Sequence, residues 1–146
     1  VEFTAATNPG AAFTAIQKTA SGGELSRFLL ALKVALANDN PLPTLVFDEV
    51  DAGVGGATAE AVGKRLQQLA QNVQVLVITH SPQVAAKGSD HLRVAKSEAK
   101  KGQMKTTVTL LDADARRLEV ARMLAGDTVT PEAEAAAAAL LSGGQA

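Results

Sequence analysis

The stretch Thr44–Gly56, TLVFDEVDAGVGG, constrains this chain more than any other. Thr44 to Phe47 are apolar or β-branched and predict a buried strand. Asp48 and Glu49 arrive where that strand ends, followed by Asp51 and then by Gly53, Gly55 and Gly56. In an open parallel sheet, ligands gather beyond the carboxyl ends of the strands. A strand ending in Asp-Glu therefore presents paired acids where a ligand is expected. The chemistry that fits is one carboxylate holding a magnesium ion and a second beside it activating water. Acids after a strand also cap the next helix. Here that helix starts several residues later, which disfavours capping. Three nearby carboxylates repel one another and favour a cation or polar partner.

The other segments supply an α/β frame. Val1 to Ala6 reads as a strand and Asn8-Pro9-Gly10 as a turn. Ala11 to Ala20 reads as a short extended piece and a loop. Leu25, Phe28, Leu29, Leu32 and Leu36 follow helical spacing, which predicts a helix over 22–38, stopped by Asn38-Asp39-Asn40-Pro41. Ala57 to Gln71 is a second helix, with Val62, Leu66 and Leu69 on one face. Val73 to Thr79, VQVLVIT, is a nearly continuous apolar strand, as a parallel strand covered on both faces requires. Pro82 to Ala86 forms a short helix. His91–Ala95 and Thr106–Leu111 form a hairpin around Lys100-Lys101-Gly102. Ala113 to Leu124 is a helix with Leu118, Ala121 and Leu124 as its stripe. Thr130 caps a last helix, with Pro131 at its first position and Glu132 near its positive end. Strand alternates with helix, an α/β layout.

At 146 residues the chain suffices for one modest domain. Its net charge of −1 makes no general case for nucleic-acid binding, so a DNA contact has to be local. Lys96, Lys100, Lys101 and Lys105 are the local candidates, against a plain reading as a solvated turn. There are no cysteines, hence no disulfide and no thiolate metal site. No apolar run approaches the ~20 residues of a membrane span. The start, VEFTAATNPG, has neither the basic region nor the apolar core of a signal and begins inside a strand. An abrupt start of this kind is what a fragment of a longer chain is expected to show.

Two further segments can carry chemistry. Ser21-Gly22-Gly23-Glu24-Leu25 opens the first helix. A capping box from Ser21 to Glu24 accounts for part of it. It does not account for two glycines in the first turn, each costing about 1 kcal/mol relative to alanine. Glycines there clear the approach to free N–H groups and the helix dipole, which makes an anion site. His80 ends the strand beside the acid-bearing one. It is either a satisfied structural residue or a hydrogen-bond donor to a phosphate or an attacking water. His91 starts a strand and reads as structural. Leu141-Ser142-Gly143-Gly144-Gln145 spells a phosphate-binding signature more literally than Ser21–Leu25 does, but only Ala146 follows, so it reads as a helix stop.

Together these segments resemble the C-terminal half of an ABC-type ATPase head of the SMC-like class, a P-loop NTPase-like α/β fold. The order is signature (Ser21-Gly22-Gly23-Glu24-Leu25), Walker B strand (Leu45-Val46-Phe47-Asp48-Glu49), D-loop (Asp51-Ala52-Gly53-Val54-Gly55) and switch histidine (His80). Ser-Gly-Gly-Glu-Leu-Ser-Arg at 21–27, the run at 47–56 and Thr-His-Ser-Pro-Gln-Val-Ala-Ala at 79–86 are most similar to the RecN-type DNA repair proteins. The resemblance implies a largely parallel sheet flanked by helices, with a peripheral β-hairpin, over residues 1–146. It implies ATP and magnesium as cofactors. Asp48 would hold magnesium through water, Glu49 would be the general base, and His80 would read the γ-phosphate. Ser21, Gly22 and Gly23, with Glu24 beside them, would face ATP held by a second head. Asp51 and its loop would cross the dimer interface.

The implied partners are the N-terminal half of the same head, a second head in a homodimer, and DNA through the full-length protein, with no membrane. The implied location is the cytoplasm, at the nucleoid. Ala20 replaces the leucine of many ABC signatures, and Glu24 the glutamine common in transporters. No G-x-x-x-x-G-K-[ST] loop occurs in the chain. The chain alone is therefore expected neither to bind ATP tightly nor to hydrolyse it, and to leave apolar surface for a missing half. A transporter ATPase subunit and a degenerate module that only dimerises are the alternatives. Glu24 and the Glu-Val-Asp-Ala-Gly run weigh against the first. Intact Asp48, Glu49 and His80 weigh against the second.

Overall fold

The apolar run before Asp48 forms the expected strand, with one face covered and the other open among the described residues. The computed structural model describes residues 4–6, 10, 12–15, 25, 27–32, 44–99 and 102–143. The chain divides into two compact units, Val1–Thr79 and His80–Ala146.

In the first unit, β1 (Thr4–Ala5) and β2 (Thr14–Ala15) pair antiparallel, with Thr4 opposite Ala15. Of the Val1–Ala6 strand expected, Thr4 and Ala5 are in the ladder and Ala6 is not, while residues 1–3 lie outside the described residues. Residues 25 and 27–32 are helical; the rest of the helix expected over 22–38 lies outside the described residues. Leu30, absent from the expected stripe, is 3% exposed, whereas Leu29 is 43% exposed. Leu25, Phe28 and Leu32 are half-buried as the spacing predicts.

β3 (Thr44–Asp48) and β4 (Gln74–Ile78) pair in parallel, from Thr44 opposite Gln74 to Asp48 opposite Ile78. α1 (Gly56–Leu69) makes the crossover that a parallel pair requires. It buries Ala59, Val62, Gly63, Leu66 and Leu69, one stripe at helical spacing. Leu45 and Phe47 of β3 are buried, but Val46, Leu76 and Ile78 stand exposed on the opposite face. Strands covered on both faces were expected; among the described residues one face is open. The largely parallel sheet is likewise seen as one βαβ unit, and the other two ladders are antiparallel.

The second unit begins with α2 (Pro82–Ala85), which lies against two later helices, α3 (Ala113–Ala125) and α4 (Pro131–Ser142). Between α2 and α3 the hairpin of β5 (Leu92–Ala99) and β6 (Gln103–Leu110) runs from Leu92 opposite Leu110 to Ala99 opposite Gln103. Gly102, at φ +74°, supplies the left-handed residue of its turn. The strands extend past the predicted ends because the polar residues near the turn complete their backbone bonds across the hairpin.

Asp112 caps α3, its carboxylate accepting from the Ala115 N–H at 2.8 Å. Thr130 caps α4 as predicted, accepting from Ala133 at 3.3 Å. Val120, Ala121 and Ala137 form the buried centre between these helices, with Val129, Ala133, Leu140 and Leu141 around it. Leu118 and Leu124, two of the three expected stripe residues, remain partly open to solvent. The alanine-rich α4 presents a smooth face, and the close approach this permits falls on Val120 and Ala121 rather than on the bulkier leucines. Ser142 ends α4, consistent with its reading as a helix stop.

Candidate functional site

The loop after β3 sorts its acids by orientation. Asp48 ends the strand on its open face, beside Ile78 in the ladder. Glu49 is exposed and takes φ +48°, among the described residues the one non-glycine in the left-handed region. Its N–H donates to the Ile78 carbonyl at 3.0 Å, so the ladder continues one residue past β3. Its own carbonyl accepts from Ala52 at 2.9 Å, which turns the chain back. Val50 and Asp51 then fall inside, at 0% and 2% exposure. One turn thus presents Asp48 and Glu49 outward and draws the next two residues in.

Asp51 was expected with its loop at a dimer interface, near the nucleotide. Its side chain is turned inward. Oδ2 accepts a hydrogen bond from the Thr79 hydroxyl, and Oδ1 is buried without a hydrogen-bond partner among the described residues. A half-satisfied buried carboxylate is costly, so the Thr79 contact holds the loop firmly to the end of β4. A second tie comes from Arg27, whose Nη1 donates to the Ala52 carbonyl at 3.3 Å. Arg27 belongs to the helical stretch that follows the Ser-Gly-Gly-Glu motif. Neither Thr79 nor Arg27 was assigned a role from sequence; each meets its partner across more than twenty intervening residues.

Ser21, Gly22, Gly23 and Glu24 lie outside the described residues. His80 is exposed and opens the second unit, directly after Thr79. Ser81 is buried and its hydroxyl donates to the Gln83 side chain at 3.0 Å. His80 is thus followed at once by an anchored residue and by Pro82 at the start of α2. The structure brings Asp48, Glu49 and Asp51 into one turn and attaches His80 to a separate short helix.

The lysine cluster of the hairpin does not form one basic face. Lys96 lies opposite Thr106 and Lys105 opposite Ser97, so the two point to opposite sides. Lys100 and Lys101 lie outside the described residues. The Lys96 side carries Leu92, Val94, Met104, Val108 and Leu110, all 49% exposed or more. On the other side Arg93 pairs with Glu119 of α3 at 3.4 Å.

Glu119 is nearly buried and also takes three contacts from Arg122, the shortest 2.6 Å. The Arg122 hydrogen bonds, opposed by burial, hold its carboxyl below the ordinary range. His91 is pushed below its ordinary value by burial and then by the Arg116 charge, with Glu119 pulling the other way.

Among the described residues no group of three or more His, Cys, Asp or Glu could enclose a metal ion. A magnesium held by one carboxylate together with nucleotide phosphates needs no such cage, and an exposed Asp48 at a strand end suits that arrangement. Among the described residues no helix is long and apolar enough to cross a membrane.

The family described as "RecF/RecN/SMC N terminal domain" matches residues 14–103. The chain is 48% identical over 141 residues to "DNA repair protein RecN" of Rickettsia felis, covering 97% of this chain and 26% of that protein. It is 51% identical over 140 residues to "DNA repair protein RecN" of Xylella fastidiosa, covering 96% of this chain and 25% of that one. The chain thus spans about a quarter of the length of the curated relatives it matches. One similar solved structure is described as "Structural biochemistry of ATP-driven dimerization and DNA stimulated activation of SMC ATPases". It superposes with a TM-score of 0.57 at 22% identity, over 82% of this chain and 70% of that one, a likeness of fold.

Proposed function

The chain belongs to the RecF/RecN/SMC N terminal domain family, and on that premise we propose that it is the C-terminal, catalytic-edge part of an SMC-like ATPase head in a DNA repair protein. The observation that carries this reading is the turn after β3. It exposes Asp48 and Glu49 side by side at the carboxyl end of a parallel strand, and it holds Glu49 in a left-handed conformation. Strained backbone at a strand end is retained where a side chain must be aimed.

In this reading Glu49 takes the proton from the attacking water, and Asp48 would hold a magnesium ion. The metal, when bound, offsets the phosphate charge. His80 donates a hydrogen bond to the γ-phosphate. Ser21, Gly22 and Gly23, with Glu24 beside them, contact ATP bound by a second head, so two heads close over two nucleotides. Asp51 acts by fixing the loop fold through Thr79. The β-phosphate is cradled by a phosphate loop on another segment of the same polypeptide. ATP-driven engagement of the heads then governs how the whole protein holds DNA, with the cytoplasmic nucleoid as its place of work.

Two apolar faces support the half-site reading. Val46, Leu76 and Ile78 cover one side of β3–β4, and Leu92, Val94, Met104, Val108 and Leu110 cover one side of the hairpin. Exposed apolar patches of this kind mark surfaces that another segment covers.

The test is ATP turnover by the intact polypeptide. Glu49→Gln should lower it by about 10²-fold or more while ATP-dependent dimers persist. Unchanged turnover would remove Glu49 as the base. Micromolar ATP affinity in the isolated 146-residue chain would overturn the half-site reading.

A further inference from the structure

We propose that Arg116 is a positioning residue for His80, acting through the short helix α2. The inference rests on the reading of His80 as a γ-phosphate contact. α2 has four residues, too few to be stable alone. Past its end the Lys87 N–H donates to the Val84 carbonyl at 3.0 Å and the Gly88 N–H to the Ala85 carbonyl at 3.4 Å, so carbonyls gather at the negative end of its dipole.

The Arg116 guanidinium sits on that end. Nη2 donates to the carbonyls of Gly88 at 2.5 Å, Ala86 at 3.2 Å and Ala85 at 3.4 Å, and Nη1 donates to Ser89 at 3.0 Å. Four carbonyls from one turn converge on a single planar fork, a geometry that a lysine ammonium cannot reproduce.

Arg116 is itself held. It lies in the first turn of α3, where its N–H donates to the Asp112 carbonyl at 2.8 Å. At the other end of α2 Ser81 is buried and its carbonyl accepts from Ala85 at 2.9 Å, and Val84 is buried within the helix. The segment from Ser81 to Ser89 is therefore pinned at its far end by α3 and packed along its length. His80 is the exposed residue attached to its near end. A shift of α2 along its axis moves His80 with it, and displacements near 1 Å at a reacting group cost up to about 10²-fold in rate.

The experiment measures ATP turnover by the intact polypeptide carrying Arg116→Lys, His80→Ala, or both, with thermal unfolding recorded for each. We expect Arg116→Lys to lower kcat about tenfold or more with little change in the KM for ATP. In the His80→Ala background the same substitution should have no further effect, because what it misplaces is already absent. Equal losses in both backgrounds would make Arg116 a purely structural residue and overturn the inference. An unchanged kcat in Arg116→Lys would overturn it as well. Unchanged turnover in His80→Ala would instead remove the underlying reading of His80, and the inference with it, so the two failures are told apart.

Discussion

The Thr79 hydroxyl donates a hydrogen bond to Asp51 Oδ2, and so ties the turn after one parallel strand to the residue leaving the next. The carboxylate is 2% exposed, and no second donor reaches its Oδ1 among the described residues. The two strand ends are thereby tied by a side-chain contact in addition to the Glu49 N–H to Ile78 carbonyl bond that extends the ladder.

Thr79→Val keeps the shape and removes the donor. It should cost about 1–3 kcal/mol in urea unfolding of the intact protein, because a buried carboxyl group loses its hydrogen-bonding partner. Thr79→Ser should cost much less. A Val variant as stable as the parent would show that the contact holds nothing.

Glu49 should be a site where stability and activity oppose one another. A non-glycine residue at φ +48° sits in a region that costs about 1–2 kcal/mol for most side chains. Glu49→Gly should recover part of this, raising the unfolding midpoint while turnover is lost. Glu49→Asn, which tolerates the same conformation, should behave likewise. A fall in stability in both variants would mean that the conformation carries no strain.

His91 should give the protein a pH dependence whose sign follows from its surroundings. Burial, then Arg116, lowers its folded-state pKa below 6.5. As pH falls through 6.5, the unfolded chain gains a proton that the folded chain does not yet accept. Stability should therefore be fullest above 6.5, decline below it, and level off once the folded-state value is passed. Urea midpoints measured from about pH 8 to about pH 5 should show this slope, and His91→Gln should flatten it. Glu119 acts in a lower window. Its folded-state pKa is depressed below 4.5, so its contribution is intact above 4.5 and fades as pH falls through the folded value.

Local chemistry made part of this architecture legible. An apolar run closed by two acids is a strand with its end marked, and β3 ends at Asp48, one residue past the Phe47 read from the sequence. Val62, Leu66 and Leu69 repeat at helical spacing and are buried in α1. Thr130 followed by Pro131 starts α4 because capping depends on adjacent residues. The features that escaped depend on distant partners. Asp51 turns inward because of Thr79, a residue 28 positions away. Leu118 stays exposed because the small residues of α4 let Val120 and Ala121 approach closely. The split of Lys96 from Lys105 follows from strand parity, which is known only once the register is. The acids of the site were thus readable as a motif, and what aims them was not.

The hairpin carries a chemical clock. Met104 and Met123 are the two methionines of the chain. Met104 stands 66% exposed on the apolar side of the hairpin, whereas Met123 is half-buried in α3. Conversion of a thioether to its sulfoxide follows access by the oxidant. A brief peroxide pulse should therefore mark Met104 well ahead of Met123 while that side is bare. Covering of that side by another segment should reverse the order, and the ratio of the two sulfoxides in one digest would report it.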